Sequence, residues 1–235
     1  AMNLAKRMAH LGTETAFEVL ARAKALETEG RSIINLGIGQ PDFRTPEHIV
    51  DAAKQALTDG HHGYTPGNGI LPLREAVAAD IDKFRGVEVS PDQVVIVPGG
   101  KVTMWYAILL FGEPGAEIMY PNPGFPIYKS MIDFVGGKPV PMKLYEVDGF
   151  CPDLDELKKL VTPRTRLIIL NSPNNPTGGI LDKSMLETMA QLAIDNDLLI
   201  LSDEIYRDII YDGSFSSIAS IPGMQETHFL HPWIV

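Results

Sequence analysis

Residues 166–179 read RLIILNSPNNPTGG and residues 198–206 read LLILSDEIY. Each holds an unbroken run of four apolar residues, 167–170 and 198–201, and ends in polar and turn-forming residues. Continuous rather than alternating hydrophobicity marks a strand buried on both faces. Three further short runs, VVIV (94–97), EIMY (117–120) and KPVPM (138–142), alternate with longer helical patterns from residue 94 onward. This order predicts an α/β fold: three layers, α/β/α, around a mostly parallel sheet.

Upstream of residue 94 the periods are helical. Phe17, Leu20, Ala23 and Leu26 place one apolar face on a helix over 14–29, with Gly30 as its stop. Thr45-Pro46 reads as an N-cap followed by proline at the first helical position, continued by Ile49, Val50, Ala53 and Leu57. Pro72 opens a third helix through Leu73, Val77 and Ile81. Residues 101–111 are apolar nearly all round, which predicts a helix inside the protein. There is no internal repeat and no low-complexity segment.

With 235 residues, 45% hydrophobic and 21% charged, the composition is that of an ordinary globular protein rather than a disordered or fibrous one. Thirty acids against twenty bases give a net charge of −10, a field that repels phosphate backbones and anionic lipid and argues against nucleic-acid or membrane partners. Cys151 is the single cysteine, so no internal disulfide forms and a reducing cytoplasm is the expected compartment. The N-terminal AMNLAKRMAH has no signal-peptide core, and the apolar stretch 102–111 is half of the roughly 20 residues a bilayer crossing needs. His61 and His62 are adjacent and have no third ligand at metal spacing, so they read as loop residues and no metal site is expected.

Ligands of such folds bind beyond the carboxyl ends of the strands. Val97 is followed by Pro98-Gly99-Gly100-Lys101, where two glycines and a helix start suit a close-lying phosphate, or simply a tight turn. The Asn171–Gly179 segment is unusually rich in residues with special backbone preferences, which structural turns also use. Asp203, at the end of an apolar strand, faces a partly buried site or caps a helix.

Four stretches, NLGIGQPDF (35–43), YTPGNGILPLREAVA (64–78), SPNNPTGG (172–179) and SDEIY (202–206), together resemble the class I (fold-type I) pyridoxal-phosphate (PLP) aminotransferases, in order and spacing, from about residue 12 to 225. The resemblance implies a PLP-dependent enzyme that moves an amino group between an α-amino acid and a 2-oxo acid. It implies that Asp203 pairs with the protonated pyridine nitrogen, because PLP is an electron sink only while that nitrogen keeps its proton. It further implies that Asn175 and Tyr206 bond the ring's phenolic oxygen, Phe125 stacks on the ring face, and Gly99, Gly100 and Lys101 cradle the phosphate. Tyr64 would reach the phosphate of a neighbouring subunit, so a homodimer is implied, and Gly39 would line the substrate carboxylate. The expected domains are a small-domain part over 1–45, an incomplete PLP-binding large domain over 46–226 and an atypical tail over 227–235.

The family also places a lysine that forms a Schiff base with PLP a few tens of residues beyond SDEIY. Here Lys183 is the last lysine, and residues 227–235 read THFLHPWIV. The expectation is a chain cut short by a shifted frame or an early stop, without the C-terminal small domain and inactive by itself. A non-catalytic PLP-fold module for binding or dimerisation, a β-lyase or a cyclopropane-carboxylate synthase type of PLP enzyme are the alternatives. Two family strands would be missing between the fifth strand and 94–97, so that edge is expected to show a shifted first strand, a tail strand over 228–235, or a covering partner.

Overall fold

The computed structural model describes residues 3–12, 15–37, 39–225 and 228–231, the last four and residues 15–16 by their backbone. It falls into two compact units, Thr13–Ile70 and a larger one made of Ala1–Gly12 with Leu71–Val235.

The smaller unit carries helices α1 (Thr15–Thr28) and α2 (Glu47–Thr58). Gly30 ends α1 as expected: its φ is +86°, and Arg31 N–H turns back to the Leu26 carbonyl at 3.1 Å. The start of α2 differs from expectation. Pro46, not Thr45, occupies the cap position, and no side chain bonds the first turn.

The larger unit is the three-layer sandwich. Helices α3 (Leu71–Arg85) and α4 (Gly100–Phe111) precede strand β1 (Glu117–Asn122), helix α5 (Ile127–Phe134) and strand β2 (Lys138–Lys143). Helix α6 (Leu154–Leu160), strand β3 (Thr165–Asn171), helix α7 (Lys183–Asp195), strand β4 (Leu199–Asp203) and strand β5 (His228–His231) follow. All strands pair in parallel, in the order β2-β1-β3-β4-β5. Period-two alternation sends Met119, Ile168, Leu170 and Ile200 to one face, against Leu186, Met189 and Ala193 of α7. Ile118, Tyr120, Leu167, Ile169 and Leu201 go to the other, against Met104 and Ile108 of α4 and Tyr128 and Ile132 of α5.

At the amino ends of three strands Glu117 closes the sheet. Its carboxylate accepts bonds from Thr162 Oγ1 at 2.6 Å, Arg164 Nη2 at 2.7 Å and Lys138 Nζ at 3.0 Å. These donors hold its pKa down, from 4.5 to about 2.

Two expectations fail, for one physical reason: partners, not local hydrophobicity, decide both. VVIV (94–97) is not a strand; Val94 and Ile96 pack with Val77, Ala78 and Ile81 of α3 and with Val87 beyond it, while Val95 stays exposed. Helix α4 is not enclosed, since Tyr106, Leu109 and Leu110 face outward. At the sheet edge the tail supplies a strand: His228–His231 pairs with Ile200–Asp203, and the rest of the expected 228–235 strand lies outside the described residues.

Candidate functional site

The chemistry-bearing residues gather where β3 and β4 end side by side. Asn171 and Asp203 are register partners. The Asp203 carbonyl accepts from Asn171 Nδ2 at 3.1 Å and Ser172 N–H at 3.2 Å, so both strand ends are locked together. From there the loop staples itself. Asn171 Oδ1 accepts Asn175 N–H at 2.7 Å, Ser172 Oγ accepts Leu181 N–H at 3.0 Å, and Asn174 N–H reaches the Gly179 carbonyl at 2.9 Å. Gly178 takes φ +76°, and a Cβ on Gly179 would stand 2.7 Å from the Phe150 carbonyl. The density of Asn, Pro and Gly here is therefore what a closed loop requires.

This loop presents Asn175, whose Nδ2 donates to the Tyr206 hydroxyl at 3.4 Å. Asp203 is 3% exposed. Its Oδ2 accepts the Tyr128 hydroxyl at 2.8 Å and its Oδ1 only a long 3.4 Å bond from Ile205 N–H. No lysine, arginine or histidine whose side chain is described pairs with this carboxylate. Desolvation accordingly pushes its pKa up to about 6, against the lowering effect of the Tyr128 bond. Burial and the same carboxylate drive the Tyr128 phenol well above its ordinary range.

Tyr128 meets the Phe125 ring edge-on, with centroids 6.0 Å apart, and Lys101 Nζ stands 5.8 Å from the Phe125 centroid. Gly99, at φ +86°, caps α4, which Gly100 opens. Contacts thus run continuously from Lys101 through Phe125 and Tyr128 to Asp203, with Asn175 and Tyr206 paired beside it. Tyr64 and Gly39 belong to the Thr13–Ile70 unit, where both are exposed. Tyr128 went unread in the sequence, since its partner Asp203 lies 75 positions away. An open groove of about 530 Å³ along Asp148, Cys151, Asp153 and Lys158 shares no residue with this constellation.

A parallel sheet between helix layers, with buried acid, amide and phenols beyond its strand ends, is the layout of an α/β ligand-binding domain. Residues 31–231 match the model of the aminotransferase class I and II family, and the chain belongs to that family. It is 46% identical to aromatic-amino-acid aminotransferase 2 of Thermococcus litoralis over 83% of this chain and 50% of that protein. It is 36% identical to the aspartate/prephenate aminotransferase of Thermus thermophilus over 91% of this chain and 56% of that one. The solved structure of Thermus thermophilus aspartate aminotransferase with maleate superposes with a TM-score of 0.94 at 34% identity, covering 99% of this chain and 60% of the other. The chain thus spans about half to three-fifths of the length of these relatives. Among the described residues no helix is long and apolar enough to cross a membrane.

Proposed function

We propose that this chain carries the cofactor-binding groups of a PLP-dependent aminotransferase acting between an α-amino acid and a 2-oxo acid. One observation carries the reading: among the described side chains the buried Asp203 carboxylate has no cationic partner, and its Oδ1 is weakly occupied. A protonated pyridine nitrogen supplies the charge that such a group lacks, so the residues present fit PLP. When bound, PLP supplies an electron sink for chemistry at the substrate α-carbon. Asp203 holds the proton on the ring nitrogen, in a dry setting where the pairing is strong. Tyr128, by donating to Oδ2, fixes the carboxylate's orientation. Phe125 offers its ring to the pyridine face, and Asn175 with Tyr206 holds the phenolic oxygen. Gly99, Gly100 and Lys101 hold the phosphate at the start of α4. Tyr64, from a second copy, and Gly39, at the substrate carboxylate, complete the set, in a cytoplasmic homodimer.

No lysine follows Lys183 in these 235 residues. They therefore hold PLP without a covalent bond and do not transfer amino groups on their own. Titrating PLP into the chain, with Asp203→Asn alongside, tests the site. Saturable binding that weakens about tenfold or more in the variant, the equivalent of about 1.4 kcal/mol, supports it. Equal binding by both refutes it. Borohydride reduction followed by mass spectrometry tests the second statement: a stable adduct on one lysine, with amino transfer, would overturn it.

A further inference from the structure

The β4 ladder ends at Asp203. Beyond it the main chain is held by turn bonds, Arg207 N–H to Glu204 at 3.1 Å and Ile209 N–H to Tyr206 at 2.9 Å. Nothing in those bonds fixes where the turn points. The side chains do that. Glu204 is 3% and Arg85 4% exposed. Arg85 Nε donates to Glu204 Oε2 at 2.7 Å, while Ser202 and Ser217 donate to Oε1 at 3.0 and 2.6 Å. Arg207 Nη2 donates to Asp80 Oδ1 at 3.0 Å, its Nη1 lies 2.8 Å from Oδ2, and its guanidinium rests 4.7 Å from the Phe84 centroid. Arg85 Nη1 approaches the same Asp80 at 3.7 Å.

Asp80, Phe84 and Arg85 all belong to α3, itself anchored by Val77, Ala78 and Ile81. Two acids and two guanidinium groups therefore form one charge-balanced chain. Its two contacts on the turn fall on the residues that directly follow Asp203 and Tyr206.

We infer that α3 is the positioning element of the site: the chain Glu204–Arg85–Asp80–Arg207 grips both ends of the turn and sets the spacing between Asp203 and Tyr206. The four are positioning residues, acting through the two groups they follow. The inference rests on the proposed function only in taking those two groups as one site, and its test needs no cofactor.

The test is a ¹³C NMR titration of the Asp203 carboxyl in the chain without PLP, its resonance assigned by its loss in Asp203→Asn. Among the described side chains, those acting on this carboxyl are the Tyr128 hydroxyl from α5 and Glu204 from its own turn, beside the Ile205 N–H, with the Tyr206 phenol next to Tyr128. Arg207→Gln separates the explanations by sign. Removing a positive charge would by itself raise the Asp203 pKa, whereas a released turn admits water and lowers it from about 6 toward the ordinary carboxylate range. A fall is the expected result. Arg207→Lys keeps the charge but loses the two-pronged grip, so a smaller fall is expected, and this variant decides the matter if Arg207→Gln does not fold. A lowered melting temperature with the titration unchanged or raised overturns the inference and leaves the ion chain a plain stabiliser.

Discussion

Replacing Asp203 by asparagine should stabilise the chain without PLP in mild alkali and destabilise it in acid. Burial moves the carboxyl from its ordinary 3.8 to about 6, a difference of about 3 kcal/mol at about 1.4 kcal/mol per pH unit. The sign follows from proton binding. Between those two values the folded state holds more protons than the unfolded state, so the stability this group supplies is complete below about 4 and is lost as the pH rises through about 6. Asparagine has no charge to desolvate and keeps an acceptor for Tyr128. Its amide would, however, set a donor where Oδ1 now accepts Ile205 N–H, at a cost of about 1–2 kcal/mol. The net is a gain of about 1–2 kcal/mol at about pH 8 and a loss of similar size at about pH 4. Urea unfolding of both proteins across this range reads the difference directly. A variant that loses the same stability at both ends would refute the argument, because Asp203 would then be an ordinary hydrogen-bonding group with no cost for its charge. On the proposed reading, the same cost, when removed by a pyridinium, would become affinity for PLP.

Tyr128→Phe removes the donor that lowers the Asp203 pKa, so carboxyl NMR should find that group titrating above about 6. Glu117→Gln should cost about 1–2 kcal/mol at neutral pH, less than the 4.5-to-2 shift implies, because Arg164 and Lys138 are well exposed and screened. With a lowered pKa, the contribution of Glu117 is present above about 4.5 and vanishes as the pH falls toward 2, so urea midpoints of the two proteins should converge in acid. Gly179→Ala drives a methyl to 2.7 Å from the Phe150 carbonyl and 2.9 Å from that of Gly149. A loss of about 1–3 kcal/mol in thermal unfolding is expected, and no loss would mean that the loop yields.

What the sequence discloses here is whatever a short window contains. The runs ending at Asn171 and Asp203 are apolar because both sheet faces are covered, and that coverage is legible residue by residue as strand β3 or β4. The loop after Asn171 is equally legible in the bonds that close it on itself, which join residues 4 and 9 apart. Opaque features depend on distant partners. Tyr128 meets Asp203 across 75 positions, and Arg85 meets Glu204 across 119, so neither pairing leaves a local trace. Val94–Val97 fails in the opposite direction: four β-branched residues favour a strand, yet a strand needs a neighbour, and α3 offers these side chains an apolar surface instead. His228–His231 has the neighbour that 94–97 lacks, the edge of β4, and pairs there with two histidines and no β-branched residue. An open ladder of backbone donors and acceptors thus outweighs side-chain preference at this edge. It follows that the position of Asp203, at the end of β4, depends on backbone pairing on both sides of it, whereas Tyr206, beyond the ladder, depends on local turn bonds and on the side-chain grip of α3 on its neighbours.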